Sequence, residues 1–165
     1  MNNQTQVQLR LPELADGKPV HELIGRCPPL DLNSSYNYFL LCSHFRQTCV
    51  IAEHHGQIVG FLSAYLLPEQ PKTLFVWQIA VDASMRGSGL AGKLLAELLE
   101  RPACRQIQYL ETTIAPGNIP SRRVFERLAD SQGVAIHESD FLQPHHFGNE
   151  GHDEERLIRL GPFQS

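Results

Sequence analysis

Leu74-Phe75-Val76-Trp77-Gln78-Ile79-Ala80-Val81, followed after four intervening residues by Arg86-Gly87-Ser88-Gly89-Leu90-Ala91, decides the fold class of this chain. The first run is almost wholly apolar, the pattern of a central strand buried on both faces. The second is a glycine-rich turn that opens a helix. That helix, from about Gly89 to Arg101, carries Leu90, Ala91, Leu94, Leu95, Leu98 and Leu99 along one face, and Pro102 ends it. A strand, a glycine turn and a helix start aim several backbone N–H groups at one point, where they and the helix dipole attract an anion. The first expectation is therefore a phosphate-bearing ligand held by the main chain.

Three phosphate motifs compete for this turn. Gly87 to Lys93 nearly fits G-x-x-x-x-G-K-[ST], but Leu94 occupies the position whose hydroxyl must hold Mg²⁺. Gly87, Gly89 and Gly92 fit the spacing G-x-G-x-x-G, but no N-terminal βαβ unit frames them. Arg86, Gly89 and Ala91 satisfy R-x-x-G-x-A, which resembles the pyrophosphate loop of the GNAT N-acetyltransferases, enzymes that bind acetyl-CoA. A plain strand-to-helix turn would also use glycine, so the rest of the chain has to arbitrate.

The bulk properties exclude several classes. A chain of 165 residues suits one domain over 1–165 with a sizeable core, its polar residues 1–6 being frayed. Apolar residues make up 42% and charged residues 19%, as in ordinary globular proteins. The net charge of −4 with no basic block argues against a nucleic-acid partner. Cys27, Cys42, Cys49 and Cys104 form no C-x-x-C pair, and reduced, buried thiols are the plain reading. The start of the chain has no apolar signal region and no run reaches the length of a membrane span, so the expected location is cytoplasmic, with no membrane partner.

Along the chain, Val7 to Leu11 suits a first strand, and Lys18 to Arg26 a helix with Pro19 in its first turn. Pro28-Pro29 stops it, and Asn33 or Ser34 caps a second helix running to about His44. Thr48 to Glu53 and Gln57 to Leu67 read as a hairpin around His55-Gly56, and Pro68 to Pro71 as a loop. After the long helix, Ile107 to Ile114 is a strand and Ile119 to Asp130 a helix capped by Asn118, with Val124, Phe125, Leu128 and Ala129 apolar. Val134 to Ser139 and Glu155 to Leu160 are late strands around a loop rich in His and Gly. The tally is α/β, with about seven strands and four helices.

A second motif agrees with the first. Asn118-x-x-Ser121-x-x-x-Phe125 is similar to the N-x-x-[AS]-x-x-x-[YF] of GNAT enzymes. The resemblance implies the GNAT fold, a mixed central sheet in the order β-α-α-β-β-β-α-β-α-β-β. It also implies acetyl-CoA as co-substrate, with Asn118 beside its arm. In the same fold the strand before the loop is bulged and offers backbone groups to pantetheine, and Ile79, Ala80 and Val81 match that segment. Their side chains read as core. Many members carry Tyr where Phe125 stands; a phenyl ring cannot donate a proton to a departing thiolate. Asn118 can equally be a simple helix cap.

Four further segments are more specific: Pro29-Leu30-Asp31-Leu32-Asn33-Ser34-Ser35-Tyr36, Leu74 to Val81, Glu111-Thr112-Thr113-Ile114, and His152-Asp153-Glu154-Glu155 with Leu157 to Phe163. Together they resemble the L-2,4-diaminobutyrate acetyltransferases of ectoine biosynthesis over residues 8–163. This implies a homodimer that acetylates the γ-amine of a small diamino acid. It also implies roles for single residues. Asp31, Trp77 and Glu155 would bind substrate, Tyr36 would protonate the thiolate, and His152 would lie in the pocket, as the base. By residue type alone, Asp31 is a loop acid or cap, Trp77 a core aromatic, Tyr36 a packed helix residue, and Glu155 with His152 a solvated loop. The spacing of His145, His146 and His152 fits no standard zinc pattern, so no metal is expected. A GNAT enzyme for another small amine, or a non-catalytic acetyl-CoA-binding module, remain alternatives.

Overall fold

The computed structural model describes residues 6–164; apart from Gln6, the segment expected to fray lies outside them. The elements are β1 (Gln8–Arg10), α1 (Gly17–Gly25), α2 (Ser35–Ser43), β2 (Val50–His54), β3 (Gln57–Leu67), β4 (Gln70–Val81), α3 (Leu90–Leu99), β5 (Tyr109–Ile114), α4 (Ile119–Gln132), β6 (Ile136–Leu142) and β7 (Glu155–Leu160). Their order is the one expected. The strands form one mixed sheet of seven in the spatial order β1-β2-β3-β4-β5-β7-β6. By packing, the chain divides into two units. One comprises the residues through Tyr65 with Val76–Arg105; the other comprises Leu66–Phe75 with the residues from Gln106 onward.

In the first unit the turn between β2 and β3 places His55 at φ 52° and Gly56 at φ 75°, the paired left-handed geometry of a tight hairpin. Antiparallel pairing then sets Val50 opposite Leu62 and Ile51 opposite Phe61. Val20, Leu23 and Ile24 of α1, with Tyr38, Leu41 and Cys42 of α2, pack into one core with Ile51, Phe61 and Ala80. Two glycines permit the close approaches. A Cβ on Gly17 would sit 2.4 Å from the Phe39 ring, and one on Gly60 would sit 3.0 Å from Ala52 Cβ and 3.1 Å from Leu90 Cδ2. Helix α3 buries Leu90, Leu94, Leu95 and Leu98, the stripe read from its spacing.

In the second unit β7 pairs antiparallel with both β5 and β6. One face of the β5–β7 pair is buried and mostly apolar, with Leu110, Ile114, Ile158 and Leu160. Helix α4 buries Phe125, Leu128 and Ala129, and Gly133 ends it in the left-handed conformation at φ 65°. Strand β6 is exposed or half-buried along its length, consistent with its place at the end of the strand order.

Two expectations need correction. Strand β4 begins at Gln70, so Pro71 lies inside it rather than in a loop; proline is tolerated near a strand end, where one missing N–H costs little. Nor is β4 buried on both faces: Leu74, Val76, Gln78 and Ala80 are buried, whereas Trp77 is 38% exposed and Phe75, Ile79 and Val81 are half-buried. The apolar run hides an ordinary two-residue alternation, because its outward residues are themselves hydrophobic.

Candidate functional site

The Arg86–Ala91 turn has the geometry that anion binding requires. Gly87 and Gly89 both sit at φ 78°, the left-handed region, and a Cβ at either position would meet nothing within 4 Å. The glycines therefore serve backbone conformation and open space, not packing. Gly89 is the N-cap of α3, and no side chain caps it, so the first N–H groups of the helix are left for a ligand. The turn is braced from behind. Ser88 donates its hydroxyl to the Met85 carbonyl at 2.5 Å, and Asp82 accepts from the Ser84 N–H at 3.0 Å and from its hydroxyl at 2.7 Å. These Ser84 bonds, with Arg26 at 3.2 Å, hold the Asp82 carboxyl below its ordinary pKa. Two left-handed glycines and a helix start without a side-chain cap form an arrangement that suits an anion. Preceding it, Ala80 is buried but Ile79 and Val81 are only half-buried, which corrects the reading of all three as core.

Also in the first unit, a closed hydrogen-bond relay ties the loop of Asp31 to β4. Gln78 donates its amide Nε2 to the Asp31 carbonyl at 2.8 Å, and Tyr38 donates its hydroxyl to Gln78 Oε1 at 3.1 Å. The Tyr38 oxygen in turn accepts from the Asn33 N–H at 3.4 Å, and the Gln78 N–H donates to Ser63 Oγ at 3.2 Å. Tyr38 and Ser63 are fully buried and Gln78 nearly so. Asp31 is exposed in the preceding loop, and Tyr36, in the first turn of α2, is 70% exposed. Trp77 is therefore no core residue; it points to the face of β4 opposite Gln78.

The second unit holds Glu155 and His152. Residues Tyr109, Glu111 and Thr113 of β5 share a face, and the register sets Glu111 opposite Arg159 and Thr113 opposite Leu157. Diagonally across, Thr113 donates its hydroxyl to Glu155 Oε2 at 2.5 Å. Beside it, Arg159 donates to Glu111 Oε1 at 3.0 Å and lies 3.8 Å above the Tyr109 ring. Glu155 is half-buried, so its carboxylate can take up an ammonium. His152 lines a recess of about 570 Å³ with Pro116, Gly117 and Pro144. Its ring stacks on Phe147 at 3.8 Å, and Nδ1 lies 2.7 Å from the Asp153 carbonyl. A carbonyl only accepts, so Nδ1–H is the donor of this contact. Asn118 caps α4, its Oδ1 accepting from the Ser121 N–H at 3.3 Å.

Within each unit, then, the structure joins Asp31 to β4 and Glu155 to β5, while His152 is held by its own loop. Sequence reasoning missed Gln78, Tyr38, Thr113, Glu111 and Arg159. Gln78 carried a signal, since it is the one polar residue in the Leu74–Val81 run. All four cysteines are free and buried, and burial pushes the Cys42 and Cys49 thiols up to about 12, far from a nucleophilic thiolate. Among the described residues, no group of three or more His, Cys, Asp or Glu is placed to hold a metal, and no helix is long and apolar enough to cross a membrane.

Residues 18–129 match the acetyltransferase (GNAT) family. The L-2,4-diaminobutyric acid acetyltransferase of Bordetella parapertussis is 50% identical over 94% of this chain and 84% of that protein. Its counterpart from Vibrio cholerae is 48% identical over 94% of this chain and 90% of that one. The diaminobutyrate acetyltransferase EctA of Paenibacillus lautus, solved with L-2,4-diaminobutyric acid and coenzyme A, superposes with a TM-score of 0.95 at 42% identity, covering 98% of both chains. With a glycine cradle opening α3, an Asn118-capped α4 and this likeness over almost its full length, the chain belongs to the GNAT acetyltransferase family, among the L-2,4-diaminobutyric acid acetyltransferases.

Proposed function

We propose that this chain transfers the acetyl group of acetyl-CoA to the γ-amine of L-2,4-diaminobutyrate, giving N-γ-acetyl-L-2,4-diaminobutyrate in ectoine biosynthesis. The observation that carries this reading is the 42% identity over 98% of both chains with an enzyme solved with that diamino acid and coenzyme A. When bound, acetyl-CoA supplies an activated thioester. The Gly87–Ala91 N–H groups hold its pyrophosphate, the backbone of Ile79–Val81 holds the pantetheine arm, and Asn118 flanks that arm.

The acceptor arrives with two ammonium groups, and one must lose a proton before it can attack. Asp31 and Glu155 neutralise the ammoniums, and Trp77 offers an aromatic face to a cation. His152 Nε2 takes the proton from the γ-nitrogen, whose lone pair then attacks the thioester carbonyl. A backbone N–H of β4 stabilises the oxyanion. As the tetrahedral intermediate collapses, the nitrogen gives up its second proton to water and the C–S bond breaks; the departing thiolate takes a proton from water or from the Tyr36 phenol, which water then reprotonates. Phe125, 3% exposed in the packed face of α4, has no proton to give. The enzyme works as a homodimer, which light scattering of the purified protein tests.

The test of the reaction is release of free CoA thiol from acetyl-CoA in the presence of L-2,4-diaminobutyrate, with the acetyl group located by NMR. Release with γ-acetylation is expected. Release only with ornithine, lysine or another amine would replace the substrate. Acetyl-CoA binding without release to any amine would leave a non-catalytic module.

A further inference from the structure

The acceptor loop and the strand proposed to hold the acetyl donor are joined by a neutral polar relay that no assigned role uses. Gln78 sits in β4 immediately before Ile79, and its side chain turns into the core of the first unit, where a leucine or valine would satisfy packing. A buried amide is costly unless its donor and acceptor are both matched. Here both are. Nε2 donates to the Asp31 carbonyl and Oε1 accepts from Tyr38. The same Tyr38 oxygen accepts from the Asn33 N–H, so the loop backbone is gripped on both sides of Leu32. Ser63 of β3 fixes the backbone of Gln78 in turn. A packing core needs none of these bonds, whereas a loop that must hold one carboxylate at a set distance from one strand needs all of them.

We propose that Gln78 and Tyr38 are positioning residues. Together they register the Asp31–Asn33 loop on β4 and so set affinity for the diamino acid without touching it. The proposal rests on the acetyl transfer to diaminobutyrate proposed above. Tyr38→Phe removes one hydroxyl and keeps the buried ring; Gln78→Met keeps volume and removes both bonds. Each is expected to raise KM for diaminobutyrate about tenfold, the size of one or two lost buried hydrogen bonds, with KM for acetyl-CoA unchanged. Because the effect runs through Asp31, adding Tyr38→Phe to Asp31→Asn should change the diaminobutyrate KM far less than adding it to the native chain.

A purely structural relay gives a different pattern. Thermal stability and active fraction fall, both KM values stay native, and the Asp31→Asn background makes no difference. That pattern in Tyr38→Phe overturns the proposal. Should Gln78→Met fail to fold, Ser63→Ala replaces it as the second variant and is read in the same way. The native enzyme is the control that separates the two levels. If it does not acetylate diaminobutyrate, the functional reading fails. If it does, and Tyr38→Phe leaves the diaminobutyrate KM native, only the positioning role fails.

Discussion

The Arg86–Ala91 turn and the β5–β7 face are built from different parts of the chain. The turn uses main-chain groups: two glycines at φ 78° and a helix start with no side-chain cap. The face uses side chains set by strand register, with Thr113 on Glu155 and Arg159 on Glu111. The first is local in sequence, and its residues lie within six positions of one another. The second joins residues 42 and 48 positions apart. A backbone cradle tolerates many side chains and few backbone changes, whereas a side-chain ladder has the opposite tolerance.

The largest break in that comparison is Gly89→Val. The new side chain meets no neighbour, yet φ 78° strains any β-branched residue. Acetyl-CoA affinity is expected to fall at least ~100-fold through loss of the oriented N–H groups, as read by calorimetric titration. Native affinity in a folded variant would remove the loop from the cofactor site.

On the opposite side, Glu155→Gln keeps shape and removes charge. A drop of about 100-fold in kcat/KM for diaminobutyrate, with acetyl-CoA affinity intact, is the size of a lost charge-assisted bond. Equal losses for both substrates would show that Glu155 supports the fold and not the acceptor.

Arg159→Met tests stability. It strands Glu111, which is 7% exposed, and should destabilise the protein by about 2–3 kcal/mol, with part recovered in Arg159→Met/Glu111→Gln. Denaturant midpoints decide it, and no recovery in the double variant would mean that the arginine acts by packing on Tyr109 alone. Thr113→Val is milder. It should raise the diaminobutyrate KM about tenfold by releasing Glu155 from one hydrogen bond, and an unchanged KM would reduce the threonine to a bystander.

The smallest effect lies outside both regions and serves as their reference. Burial pushes the Asp16 carboxyl up, but hydrogen bonds from Arg10 and the Glu13 N–H outweigh it and hold the group below its ordinary value. A depressed carboxyl stabilises the fold above its unfolded pKa, and that contribution is lost as pH falls through the folded one. Thermal midpoints of Asp16→Asn should therefore be lower than native at pH 7 and converge with it in acid. Parallel curves would assign the acid sensitivity to another group.

Much of this was legible in the sequence because it rests on short-range rules. Helix α3 followed from its leucine spacing and the cap of α4 from Asn118, and the last strand was placed at Glu155–Leu160, where β7 lies. Register was less legible. Strand β5 starts at Tyr109 rather than Ile107, and β6 runs from Ile136 to Leu142 rather than ending at Ser139, because pairing and not propensity ends a strand. Trp77 shows the limit most clearly. Its composition suggested a buried strand, and only the sidedness of β4 turned it outward.

By itself, the sequence determined the α/β order, the glycine turn that opens α3 and the family, because these depend on periodicity, on the left-handed conformation that glycine permits, and on motifs of fixed spacing. Only the tertiary structure decided that Gln78 grips the Asp31 loop and Thr113 grips Glu155. A hydrogen bond between distant residues is created by strand register and helix packing, which no local pattern encodes.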